Sequence, residues 1–292
     1  MDEDFGYRRQ ICEAGLNRPA NSGYDVNGKT MAQVKSTPWD KWWASAPVGP
    51  SPPYRTIASL ERTRSERELM ARWSNLRKGI VLEAACGSAW HSMILAQRDC
   101  YVIGLDLSIA ALRLARSLYT QSQLDRNLDT VLADIHAMPF RDCIFDLVFN
   151  QGVLEHFDDQ TSVIGEMFRV LRKGSIAISI VPNLLFLWDH LIRLTMSLLS
   201  KVHLGVGWPF GHETPMTARR LRLLFEISGF SVLDMDGVCP VLPPLYLRKR
   251  LADRMALLRS LVMVTRSMER SSRRVKMLFG QEVAIKAQKP CF

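Results

Sequence analysis

What the 292 residues lack narrows the field first. None of the six cysteines forms a CxxC pair, and no Cys/His cluster has zinc-ligand spacing. No metal site is expected, and scattered thiols suit a reducing compartment. An apolar leader is missing: residues 1–10 hold Asp2, Glu3, Asp4, Arg8 and Arg9 where a secretory signal needs a hydrophobic run. The most apolar stretch, 182–199, is interrupted by Asp189, His190 and Arg193, which makes it a poor spanning helix. Internal repeats are also absent. A cytoplasmic protein is the expectation.

The composition, 47% hydrophobic and 23% charged, is that of a folded globular chain. Its net charge of +9 is concentrated. Between Arg248 and Lys276 ten lysines and arginines face only Asp253 and Glu269, so the remainder is nearly neutral. This basic 248–276 segment suits peripheral membrane or acidic-ligand contact. No recognised nucleic-acid module accompanies it, and no nucleic-acid partner is expected.

Residues 1–55 read as an irregular leader rich in turn formers, with Trp39, Trp42 and Trp43 as an aromatic cluster that must bury itself or meet a ligand. Residues 56–77 are helical. From residue 80 strands at 80–83, 101–105, 130–132, 145–150 and 175–181 alternate with helices at 88–97, 109–121 and 161–171. An amphipathic helix over 184–201 follows. Thr217 caps a helix that Gly229 ends, and 230–235 is a strand. A basic helical insertion at 247–279 precedes a last strand at 282–287. This order predicts a Rossmann-like, doubly wound, mostly parallel seven-stranded α/β sheet with helical insertions. The domain then spans 56–292, with a ligand-binding core at 78–183 and a lid region at 184–246.

The first strand ends in Glu83-Ala84-Ala85-Cys86-Gly87-Ser88-Ala89 and enters a helix. Small residues there let backbone amides approach a ligand. Asp106 ends the second strand, 19 residues after Gly87, where a carboxylate accepts hydrogen bonds from ribose hydroxyls. A dinucleotide-binding oxidoreductase is disfavoured, because Gly87 is the only glycine of the turn and G-x-G-x-x-G needs three.

Val81–Ala89 resembles the first motif of class I S-adenosylmethionine-dependent methyltransferases, V-L-E-x-G-C-G-x-G, and Val102–Ser108 resembles the second. Ala133-Asp134-Ile135, Met138-Pro139-Phe140, Phe145–Val148, Val153-Leu154-Glu155-His156 and Arg169–Gly174 follow in the family's order. The resemblance covers 78–183, with a weaker echo at 212–236, and is strongest to the type 11 group, which includes quinone-biosynthesis and natural-product enzymes.

That resemblance implies S-adenosyl-L-methionine as cofactor. Ala85 and Gly87 are expected at its methionine part, with Glu83 near the ammonium. Asp106 is expected at the ribose, Leu107 at the adenine face, Asp134 at the adenine amino group beside the backbone of Ile135, and Asn150 and Gln151 near the methionine moiety. Asp146 is expected to order the sheet or a neighbouring helix. Ala85 and Ala89 depart from the family's glycines. If position 85 needs positive φ, its β-carbon costs roughly 1–2 kcal/mol. A degenerate fold serving as a binding or scaffold module is therefore the alternative.

Methyl transfer needs chiefly alignment and exclusion of water, so no catalytic triad is required. A base helps only where the acceptor loses a proton. His156 after the fourth strand and His212, beside Glu213, are the candidates, while His91 suits a structural role. The expected acceptor is a small, apolar or partly anionic metabolite with an O, N or C nucleophile.

Overall fold

The computed structural model describes residues 38–45, 57–186, 213–239 and 256–291. One seven-stranded sheet organises them, in the order β3-β2-β1-β4-β5-β7-β6. The strands are β1 (Gly79–Ala84), β2 (Cys100–Asp106), β3 (Leu128–Leu132), β4 (Phe145–Gln151), β5 (Leu171–Pro182), β6 (Ser231–Val238) and β7 (Glu282–Gln288). β1 to β5 pair in parallel, and β7 inserts antiparallel between β5 and β6. All seven strands stand where the alternation of the sequence puts them.

β1 and β2 are buried at every residue because helices cover both faces. The two-residue period of a strand sends Val81, Leu147 and Ile178 to one face. There they meet Leu69, Met70 and Trp73 of α2 (Ile57–Ser74). Ile80, Leu82 and Val148 point the other way. They pack with Val163, Ile164 and Met167 of α5 (Gln160–Val170) and with Leu221 and Phe225 of α6 (Ala218–Ile227). Asp146 has the ordering role expected of it. Its Oδ2 accepts from Ile80 N at 2.8 Å, and its Oδ1 pairs with Arg172.

Three local expectations change. The leader contains a helix, α1 (Pro38–Ala44), which carries all three tryptophans; proline suits its first turn. The helix expected at 88–97 shrinks to α3 (Met93–Ala96), because Ala89 is left-handed at φ 51° and breaks the helical path. Among its described residues, 256–279, the basic insertion forms two helices, α7 (Ala256–Glu269) and α8 (Arg273–Phe279). Three of its cations are engaged: Arg266 binds Glu61, Arg273 binds Asp234 and Lys276 binds Asp236. The expected 184–201 helix lies, beyond residue 186, outside the described residues.

α8 lies directly on β6 at Gly237. A β-carbon there would come within 1.9 Å of the Lys276 carbonyl oxygen, so only glycine permits this approach. The ion pairs Arg64–Glu269, at 2.6 Å, and Arg266–Glu61, at 2.8 Å, tie α7 to α2.

Candidate active site

Open parallel sheets bind ligands beyond the carboxyl ends of the strands, where the winding reverses. Here that point lies between β1 and β4, which are neighbours in the sheet. Glu83, near the end of β1, is 3% exposed. Its Oε2 accepts a long hydrogen bond of 3.3 Å from Ser92 N. Burial pushes its carboxyl up to about 7, against the pull of nearby His91.

The turn after β1 keeps the backbone of a glycine motif while carrying alanines. Ala85, Gly87 and Ala89 have φ of 57°, 51° and 51°. Ala85 and Ala89 therefore both hold an unfavourable left-handed conformation. Asp106 is anchored from two sides: Gly87 N donates to its Oδ2 at 2.7 Å and Ser108 N to its Oδ1 at 2.8 Å. Burial raises its pKa, opposed by these amides. Leu107 beside it is 47% exposed, which leaves its side chain free to meet an apolar ligand face.

α1 closes over this ground. The Trp43 ring stands against Gly87, where a β-carbon would lie 2.3 Å from it. Asp40 Oδ1 accepts from Ser108 Oγ at 2.6 Å and from Ala110 N at 3.2 Å, in the first turn of α4 (Ile109–Gln121). Trp39 meets His156 edge to face, with centroids 5.1 Å apart. A single short helix thus joins the turn, the Asp106 loop and His156. The tryptophans and Asp40 are four residues or fewer apart, but nothing in the sequence says which strands they meet.

Farther along the edge, Asp134 is exposed and Ile135 buried. Asp134 Oδ1 accepts from His136 N at 2.9 Å and lies 2.8 Å from His136 Nδ1; these contacts lower the carboxyl pKa against some burial. His136 packs on Phe157 at 4.6 Å. This histidine was not singled out in the sequence, although Asp-Ile-His has the two-residue spacing of a local side-chain turn.

The ends of β4 divide. Asn150 is fully buried and faces inward, accepting from Ser179 Oγ at 2.5 Å and contacting Met167 Sδ at 3.2 Å. Its side chain is spent on packing, so only its backbone is left to meet a ligand. Gln151 Nε2 instead donates to Glu66 Oε1 at 3.0 Å and to Glu282 Oε1 at 3.2 Å. Glu66 also lies 2.6 Å from His91, whose pKa burial lowers. This fixes His91 in a structural network. Glu155 and Glu282 are 2% exposed, and burial drives both carboxyls well above their ordinary range. Glu66, Glu155 and Glu282 are spread over 217 residues of sequence, so no local motif announces them. His212 lies outside the described residues.

The geometry meets known proteins at this point. A family described as a methyltransferase domain matches residues 82–179. That core is similar to the class I methyltransferases of the type 11 group. It is 33% identical over 158 residues to a "Probable S-adenosylmethionine-dependent methyltransferase" of Mycolicibacterium smegmatis, covering 54% of each chain. It is 35% identical over 140 residues to a "Malonyl-[acyl-carrier protein] O-methyltransferase" of Enterobacter lignolyticus, covering 48% of this chain and 53% of that one. The chain thus spans about half the length of these curated relatives. Among solved structures, the [4+2]-cyclase SpnF superposes with a TM-score of 0.54 at 18% identity, over 77% of this chain and 81% of that one. The last similarity concerns the fold alone.

Proposed function

We propose that the chain is an S-adenosylmethionine-dependent methyltransferase acting on a small metabolite. The observation that carries this reading is the Asp106 carboxylate, held by the amides of Gly87 and Ser108 beside the buried carboxyl of Glu83. A cationic amino-acid ligand with a ribose suits that pair. Its ammonium would pair with the ionised Glu83, and its hydroxyls would reach the lone pairs that Asp106 retains.

The remaining roles follow from position. Leu107 offers apolar surface to the adenine, and Asp134 Oδ2, which has no partner among the described residues, would accept from its amino group beside the backbone of Ile135. The left-handed turn at Ala85 and Gly87 brings backbone to the methionine part, with the backbone of Asn150 and Gln151 opposite. α1 excludes water over the turn through Trp43. The cofactor supplies the methyl group already activated as a sulfonium. The protein therefore contributes orientation and a dry site. His156, half-buried against Trp39, is the proposed base for an acceptor that loses a proton, with His212 the second candidate from the sequence.

The acceptor is an apolar or partly anionic metabolite with an O, N or C nucleophile. Relatives named as O-methyltransferases support testing oxygen nucleophiles first. Mass spectrometry of a metabolite extract incubated with methyl-labelled cofactor tests the assignment. A labelled product that His156→Ala suppresses at least ten-fold supports it; no labelled product from protein that binds the cofactor contradicts it. The alternative, a degenerate fold acting as a binding module, draws on the β-carbons at Ala85 and Ala89. Against it stands the retained left-handed backbone at both positions.

A further inference from the structure

The margin of the sheet farthest from the Asp106 strand carries a surface with no assigned role. β6 is the last strand there. Between it, α6 and α8 runs a groove of about 380 Å³ whose walls include Arg219, Arg222, Leu233, Asp234, Arg273 and Met277. An adjoining hollow of about 440 Å³ shares Asp234 and Arg273 and adds Arg72, Asp236 and Lys276.

The cations of this face fall into two sets. Arg273 and Lys276 are held by Asp234 and Asp236, Arg72 also reaches Asp236, and Arg222 reaches Glu226 at 3.3 Å. Arg219, Arg270 and Arg274 are exposed and have no acidic partner among the described residues. Large apolar side chains are exposed on the same elements: Leu223 and Ile227 of α6, Leu233 of β6, and Leu278 and Phe279 of α8, each about half or more in solvent. Exposed guanidinium groups and exposed aliphatic side chains therefore occur together.

We propose that the α6–β6–α8 face docks the protein on an anionic lipid bilayer. Guanidinium groups meet the headgroup charge, and the leucines enter the boundary beneath it. Contact is peripheral, since among the described residues no helix is long and apolar enough to cross a membrane. Three other occupants fit less well. A second copy, seated symmetrically, would set these arginines against their own equivalents. Single-stranded nucleic acid stacks on aromatic rings, and Phe279 is the one aromatic among the large exposed apolar side chains described. The chain's own 240–255 segment holds Arg248, Lys249, Arg250 and Arg254 against Asp253, so it would add like charge rather than neutralise the face.

Vesicle flotation with the full chain tests this, using phosphatidylcholine alone and phosphatidylcholine mixed with phosphatidylglycerol. The protein should float only with the mixed vesicles, and less as salt rises. R219Q/R270Q/R274Q should lower the partition coefficient on the order of a hundred-fold. L223S/L233S should lower it about ten-fold while heparin binding stays unchanged. Circular dichroism and cofactor binding verify that both variants fold. No flotation with the mixed vesicles overturns the proposal. So does an L223S/L233S variant that floats as well as the parent, which would mark a purely electrostatic site for an acidic macromolecule.

Discussion

Trp43 stands directly over Gly87: a β-carbon on Gly87 would lie 2.3 Å from the indole ring. Gly87 itself is left-handed at φ 51°. Two independent constraints, backbone conformation and a ring in contact, therefore meet at one residue of the turn.

The pair predicts non-additivity. Gly87→Ala should cost roughly 2–3 kcal/mol, from the left-handed backbone and from expulsion of the ring. In a Trp43→Ala background the same change should cost about 1–2 kcal/mol, because only the backbone penalty remains. Urea unfolding of the four proteins measures the coupling. Additive effects would show that α1 does not rest on the turn in solution.

Ala85 and Ala89 give a second prediction. Replacing a left-handed alanine by glycine removes roughly 1–2 kcal/mol of strain and returns roughly 0.4–1 kcal/mol to the unfolded chain. Ala85→Gly should therefore stabilise by about 0.5–1 kcal/mol. Ala89 is fully buried, so loss of its methyl contacts should bring Ala89→Gly close to neutral. Midpoints of urea denaturation at constant slope report both. Clear destabilisation by Ala85→Gly would contradict the left-handed assignment.

Glu83 gives a pH signature. Its carboxyl is raised from an ordinary 4.5 to about 7, so the folded state holds its proton more tightly than the unfolded state does. Relative to acid conditions, stability falls as pH rises from about 4.5 to about 7. The full loss is roughly 3 kcal/mol above that range. Glu83→Gln should remove this part of the pH dependence. A cationic ligand favours the ionised carboxylate, so cofactor binding near pH 7 should release protons. Calorimetry in buffers of different ionisation heat would show it, and Glu83→Gln should abolish it. Equal heats in all buffers would count against Glu83 as the ammonium's partner.

Gly237 tests the insertion. Gly237→Ala drives a β-carbon into the Lys276 carbonyl and should cost about 3 kcal/mol, with α8 displaced. Amide exchange should become faster in 273–279 while β1 and β2 stay protected. Unchanged protection of 273–279 would place α8 elsewhere.

The sequence made the fold legible because strand and helix periods differ, and the buried parallel strands form short apolar runs between turns. The turn at Ala84–Ala89 and Asp106 were legible for a second reason: a left-handed turn and a strand-end carboxylate are local devices. Glu66, Glu155 and Glu282 are not. They converge only because α2, the end of β4 and the start of β7 meet at one edge, and each alone reads as a surface acid. α1 escaped for a similar reason. Seven residues are too few for a helical period, and its stability comes from packing on α4 and the turn rather than from its own sequence. The charge of 248–276 misled in part, since pairing with Glu61, Asp234 and Asp236 depends on folding.

Titration calorimetry of the folded chain with S-adenosylmethionine, against Asp106→Ala, bears most directly on the proposed function. Saturable binding is predicted. Loss of two hydrogen bonds to a charged acceptor should weaken it on the order of a hundred-fold. An absence of binding by well-folded protein, or equal affinity for Asp106→Ala, would contradict it.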